Sequence, residues 1–199
     1  MRLLVATKNR HKLKEMEGIL GIPELELVSL LDVEDPPEIV ENGATFQENA
    51  LIKARTVARH FSSWVMADDS GIEVDFLNGE PGVLSARFGG EGLTDAQRNS
   101  LLLERLGGVP LERRTARFRC VIAVVSPEGE EYLAEGRCEG RIAFEPRGEH
   151  GFGYDPIFLL EDGRTMAELL PEEKNKISHR YRALEAIRPV LLELVERSG

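Results

Sequence analysis

Trp64-Val65-Met66-Ala67-Asp68-Asp69-Ser70-Gly71-Ile72-Glu73-Val74-Asp75-Phe76 is an apolar run that meets two adjacent acids and then resumes as an alternation. Trp64 to Ala67 has the length and composition of a buried strand. Ile72, Val74 and Phe76, alternating with Glu73 and Asp75, have the period of a strand half exposed to water. The turn pair Asn78-Gly79 closes the stretch. One strand is therefore predicted to run from Trp64 past the acids, carrying Asp68 and Asp69 where its buried part gives out. Carboxylates presented at such a place can meet a hard cation, which takes oxygen ligands. Taken alone, Asp68 to Gly71 reads more plainly as a polar turn closing a strand.

On the N-terminal side, Leu3-Leu4-Val5-Ala6 reads as a buried first strand. The polar turn Thr7 to His11 and a helix with Leu13, Met16 and Leu20 on one face complete a βα unit. Thr45-Phe46-Gln47-Glu48 has capping-box spacing, and Ala50, Ala54, Val57 and Phe61 follow at helical intervals. Beyond the central stretch, Thr94 to Gln97 opens a helix through Leu101, Leu102 and Leu106 that stops at Gly107-Gly108. Arg117 to about Arg141 reads as a hairpin with Phe118, Cys120, Ile122 and Val124 on one face and Pro127-Glu128-Gly129 at the turn. The tail from Pro171 is helical, with Ser178 a candidate cap for a later segment and Pro189 expected to kink or split it. No linker or repeat interrupts the chain. Residues 1–199 are expected to form a single α/β domain, a long twisted mixed sheet flanked by helices, folded as two lobes that share the sheet around a central groove.

The 199 residues carry 35 acids and 25 bases, a formal charge of −10, which argues against a nucleic acid polymer or an anionic membrane as partner. An anionic substrate needs local help from a bound cation, from clustered Lys and Arg, or from N–H groups at helix starts. Leu3 to Ala6 is too short for a secretory signal, and no stretch approaches a membrane span, so a cytoplasmic protein is expected. Cys120 and Cys138 lack paired zinc-site spacing and read as reduced core residues.

Four segments carry chemistry. Thr7-Lys8-Asn9-Arg10-His11-Lys12 places a hydroxyl, an amide and cations beside a helix start, a cradle for phosphate oxygens or simply a solvated turn. Glu41-Asn42-Gly43 leads into the helix carrying Glu48, Asn49 and Lys53; the last two share a face, and a capping role accounts for Glu48. Gly151-Phe152-Gly153-Tyr154-Asp155-Pro156 sets glycines beside aromatic rings, suited to a flat base or to a tight turn plugged into the core. In Glu173-Lys174-Asn175-Lys176-Ile177-Ser178-His179-Arg180, bases gather at a helix start against its dipole, which points to a bound anion or a carbonyl-rich base; a solvated face is the plainer reading.

In this order, these segments together with Pro81-Gly82 and Ser85-Ala86-Arg87 resemble the inosine triphosphate pyrophosphatase family, and the likeness runs from residue 3 to about residue 184. Lys8 stands where bacterial relatives often carry glycine. The resemblance implies an elongated, dimeric, two-lobed protein that hydrolyses ITP, dITP and XTP to the monophosphate and pyrophosphate with Mg²⁺. It implies Glu41 and Asp69 as metal carboxylates, Asp69 as the base toward water, and Asp68 as supporting it or sharing the metal. Thr7 to Lys12 (Thr7, Lys8, Asn9, Arg10, His11, Lys12), Lys53 and Ser70 would hold phosphates. Phe152 would stack on the purine, with Gly153, Tyr154, Asp155, Lys174, His179 and Arg180 around its edge. Two other readings fit the same residues: a non-catalytic nucleotide-binding regulator, and an enzyme acting on other altered nucleotides such as modified pyrimidines.

Overall fold

The βα unit forms as its periodicity predicts. β1 (Arg2–Val5) leads into α1 (Arg10–Leu20), and Leu13, Met16 and Leu20 are all buried. A computed structural model describes all 199 residues. The other elements are β2 (Glu26–Ser29), α2 (Phe46–Phe61), β3 (Val65–Val74), α3 (Asp95–Arg105), β4 (Thr115–Val125), β5 (Glu131–Ile142), β6 (Phe158–Leu159), α4 (Pro171–Lys174) and α5 (His179–Ser198). The strands form one sheet in the order β2-β1-β3-β4-β5-β6. β1 is parallel to β2 and to β3, while β6 is antiparallel to β5, so the sheet is mixed and the fold α/β, as expected.

The chain divides into two compact units. The first holds Met1–Asp69, Cys120–Gly136 and His179–Gly199; the second holds Ser70–Arg119 and Arg137–Ser178. The core of the first gathers Leu3 and Val5 of β1, Met16 of α1, Ile122 and Val124 of β4, and Leu184, Ile187 and Leu191 of α5. The second has its own core of Ile72, Leu102, Leu106, Phe118, Ile142, Ile157, Phe158 and Met166, with the rings of Phe118 and Phe158 centred 4.3 Å apart. Each such side chain contributes roughly 1.5–3 kcal/mol on burial. Both cysteines are buried and unbridged.

Two local expectations are corrected, and of the two outcomes expected at Pro189 one is excluded. β3 ends at Val74 rather than running through Phe76, because Asn78 and Gly79 both adopt left-handed backbone and fold the chain back. Gly79 N donates to Val74 O and Val74 N to Glu80 O, which leaves Phe76 39% exposed on a short turn. The Thr45 hydroxyl accepts from Glu48 N, but the Glu48 carboxylate reaches Ala44 N instead of closing the box. Pro189 does not split the tail: α5 runs across it to Ser198. Pro189 lies on the exposed side, where water can satisfy the carbonyl that loses its partner, while Ile187 and Leu191 bury the opposite side.

Candidate active site

Successive side chains of a strand point to opposite faces, so two adjacent acids in β3 are bound to meet different surroundings. Asp68 is met by Lys12 of α1, with Nζ 3.2 Å from Oδ1, and by Arg180 of α5, with Nη2 3.2 Å from Oδ2. Arg180 also binds Glu15 of α1. Burial disfavours the Arg180 charge, but Asp68 and Glu15 outweigh it and hold the guanidinium firmly protonated.

Asp69 faces α2. Lys53 Nζ lies 3.0 Å from Asp69 Oδ1 and 2.7 Å from Glu41 Oε1, so one ammonium joins the two carboxylates expected at a metal. Asn49, one turn before Lys53, fixes the loop that bears Glu41: Gly43 N donates to its Oδ1 at 2.8 Å, and its Nδ2 donates to Gly43 O at 3.4 Å. Burial pulls the Lys53 ammonium down, yet Asp69, Asp68 and Glu41 together hold it above the ordinary lysine value. Burial also pushes the Asp69 carboxyl above the usual range, against the pull of Lys53. Its other oxygen, Oδ2, is buried and has no hydrogen-bond partner. An acceptor left in that state is costly and calls for an explanation.

These residues fit a divalent cation of the magnesium type. Asp69 Oδ2 is an unsatisfied oxygen donor, and the side chain of Glu41 is 39% exposed and within reach of the same ammonium. No group of three or more His, Cys, Asp or Glu converges anywhere. An all-protein cage for zinc or calcium is therefore not built, whereas one or two carboxylates completed by phosphates and water suit magnesium.

The Thr7–Lys12 segment is largely self-satisfied. Thr7 Oγ1 accepts from Asn9 N, and Asn9 Oδ1 caps α1 by accepting from His11 N and Lys12 N. Arg10 is turned to Asp32 in an exposed pair, and the side chains of Lys8 and His11 are exposed. Lys12 alone of this segment reaches the acids of β3. Ser70 follows Asp69 in β3, and His179 begins α5 beside Arg180, buried in the first unit.

In the second unit the Gly151–Pro156 loop is built around an ion pair. Lys174 Nζ is 2.6 Å from Asp155 Oδ2, both side chains are about 5% exposed or less, and the ammonium stands 4.7 Å from the centroid of the Phe152 ring. Phe152 N donates to the same carboxylate. Gly151 has φ +72°, and a Cβ there would fall on Asp155 Oδ2. Tyr154 is structural: its hydroxyl donates to Ser85 O at 2.6 Å, and burial pushes the phenol well up.

Thus the structure brings together Lys12, Asp68 and Arg180, then Glu41, Lys53 and Asp69, and separately Phe152, Asp155 and Lys174. It does not bring Arg10 to the acids, and it commits Arg180 to Asp68 and Glu15. Sequence reasoning missed Glu15, and also Asp95 and Asn99 of α3, which fasten Gly153: its N–H donates to Asp95 Oδ2 at 2.9 Å, and its carbonyl accepts from Asn99 Nδ2 at 3.1 Å. Asn99 stands three residues before Leu102 and seven before Leu106, a lone amide on an apolar helical face. That is the signal that could have found it.

The model of the Ham1 family matches residues 3–190. The dITP/XTP pyrophosphatase of Geobacillus kaustophilus is 49% identical over 198 residues, covering 99% of this chain and 97% of the relative. That of Mycobacteroides abscessus is 52% identical over 199 residues, covering 98% and 97%. Among solved structures, a HAM1 protein from Coxiella burnetii superposes with a TM-score of 0.88 at 43% identity, covering 97% of this chain and 99% of that one.

Proposed function

The chain belongs to the Ham1 family, and on that premise we propose that it hydrolyses dITP, ITP and XTP to the nucleoside monophosphate and pyrophosphate. In this reading Mg²⁺ is the cofactor, and deaminated purines are cleared from the cytoplasmic nucleotide pool. The observation that carries the proposal is Asp69, held by Lys53 on one oxygen while the other lies buried and unpartnered.

Glu41 and Asp69 would hold the metal, which supplies neutralisation of phosphate charge and a bound water. Asp69 is the base that takes the proton of the attacking water. Lys12 and Lys53, with Thr7, Lys8, Asn9 and His11, take the phosphate oxygens and offset the charge that develops on the departing pyrophosphate. Asp68 orients Lys12 rather than touching the reacting atoms.

The second unit reads the base. Phe152 stacks on the purine, and Gly153, Asp155 and Lys174 line its edge. Donors there accept the 6-carbonyl of hypoxanthine and xanthine and reject the 6-amine of adenine. The working form is proposed to be a homodimer, which sedimentation would check.

The test is a panel of ITP, dITP, XTP, GTP, ATP and TTP, with and without Mg²⁺, scored for pyrophosphate. Stoichiometric pyrophosphate from dITP, ITP and XTP and little from ATP is expected. Orthophosphate as the product would overturn the proposal. Preference for TTP would move the substrate to altered pyrimidines, and protection against thermal unfolding without turnover would make the protein a binder.

A further inference from the structure

We propose that the Lys53 ammonium is a resident counter-ion that keeps Glu41 and Asp69 from holding a divalent cation until a triphosphate draws it away, so that metal and nucleotide enter together. The inference rests on the reading of these two carboxylates as the metal ligands. It goes beyond a phosphate-binding role for Lys53, because it assigns that side chain control over when the metal binds.

The geometry has three parts. Lys53 Nζ is within hydrogen-bond distance of both carboxylates, 2.7 Å from Glu41 Oε1 and 3.0 Å from Asp69 Oδ1, and so stands between them with its charge beside both. The backbone of Lys53 is immobilised by its neighbours on α2, since Asn49, Ala50, Ala54 and Val57 are all buried. Its flexible four-carbon stem can still carry the ammonium to another anion without moving the helix.

Charge is the third part. Asp68 is met by two cations, Lys12 and Arg180, whereas Asp69 is met on one oxygen by Lys53 and has its other, Oδ2, buried without a hydrogen-bond partner. A pair built only for stability would satisfy that oxygen. The carboxylates therefore have room for more positive charge, but a dication placed beside the resident ammonium would be repelled by it at a few ångströms in a poorly screened site. A triphosphate resolves the conflict, because its oxygens give the ammonium a new partner and leave both carboxylates to the metal.

The test titrates the full chain, stripped of metal and without nucleotide, with Mn²⁺ as the probe and free Mn²⁺ read by electron paramagnetic resonance. The native chain is expected to bind weakly. Lys53→Met should bind one Mn²⁺ at least about tenfold more tightly, a free-energy change of ~1.4 kcal/mol or more, while Lys53→Arg, which keeps the charge, stays close to native. Lys53→Met binding no more tightly than the native chain overturns the proposal, and so does stoichiometric micromolar binding by the native chain. Should Lys53→Met be unfolded without metal, Mn²⁺ must restore its fold at concentrations that leave the melting of the native chain unchanged; failure to do so also overturns it. No substrate is present, so an error in the assigned reaction would show in the nucleotide panel and leave this titration readable.

Discussion

Arg180 Nη2 lies 3.2 Å from Asp68 Oδ2, with each side chain 1% exposed, and this contact ties α5 to β3 within the first unit. A buried ion pair is weak evidence for net stability, but removing one partner strands the other charge. Arg180→Met is therefore expected to destabilise the protein by about 3–5 kcal/mol in urea unfolding. Lys12 still neutralises Asp68 in that variant, so Asp68→Asn added to Arg180→Met is expected to cost at least ~1 kcal/mol less than Asp68→Asn alone. Strictly additive losses would show that the two residues do not act as a pair.

Asp69 makes the opposite prediction. Its carboxyl is pushed upward by burial, so its ionised form costs folding free energy at any pH above its folded value, and that cost is absent below the unfolded one. Asp69→Asn should leave stability at neutral pH within about 1 kcal/mol of the native chain, or raise it, as expected where a functional group is held at a cost. Turnover should fall at least ~100-fold. A variant that keeps more than about a tenth of the rate would remove Asp69 from the role of base.

The contrast between these neighbours shows what the chain made legible. Periodicity located β1, the buried face of α1 and most of β3, because those signals depend on residues a few positions apart. It overran β3 by two residues because the left-handed pair Asn78 and Gly79 fixes where the chain turns back. Adjacency suggested that Asp68 and Asp69 act together, although the alternation of a strand already implied different partners. Which partners they are was not legible. Arg180 meets Asp68 across 112 positions and Glu15 across 165, and no local pattern encodes such a contact. The role of Lys53 as a bridge between Glu41 and Asp69 likewise needs the fold.

The Gly151–Pro156 loop, proposed above to read the base, can be probed through two of its glycines. Gly153 has φ +62° with nothing within 4 Å of an added Cβ, so Gly153→Ala should cost only the left-handed backbone strain, ~1–2 kcal/mol. Gly151, at φ +72°, would drive its Cβ into Asp155, the partner of Lys174. Gly151→Ala should exceed that cost by about 1–3 kcal/mol from overpacking, and should raise KM for dITP at least tenfold while changing kcat less. Equal effects of the two substitutions on KM would mean that the Asp155–Lys174 pair does not position the base.

Asp75 offers a pH test away from the chemistry. Arg117 binds it in a fork, with Nη1 3.0 Å from Oδ1 and Nη2 2.9 Å from Oδ2, and Thr115 Oγ1 donates to Oδ2 at 2.7 Å. Arg117 first, then Thr115, hold the Asp75 carboxyl below its ordinary value of 3.8. Stability from a depressed carboxylate is fully present above the unfolded pKa and is lost as pH falls through the folded one. The side chain is 47% exposed, so screening keeps the contribution small. Asp75→Asn is expected to lower stability by about 0.5–1 kcal/mol at neutral pH, with less loss in high salt. Urea midpoints of the two proteins should differ by a constant amount from neutrality down to about pH 5 and converge below about pH 4, as the native carboxylate takes up its proton. A gap that persists undiminished in acid would show that the loss comes from packing of the amide and not from the ion pair.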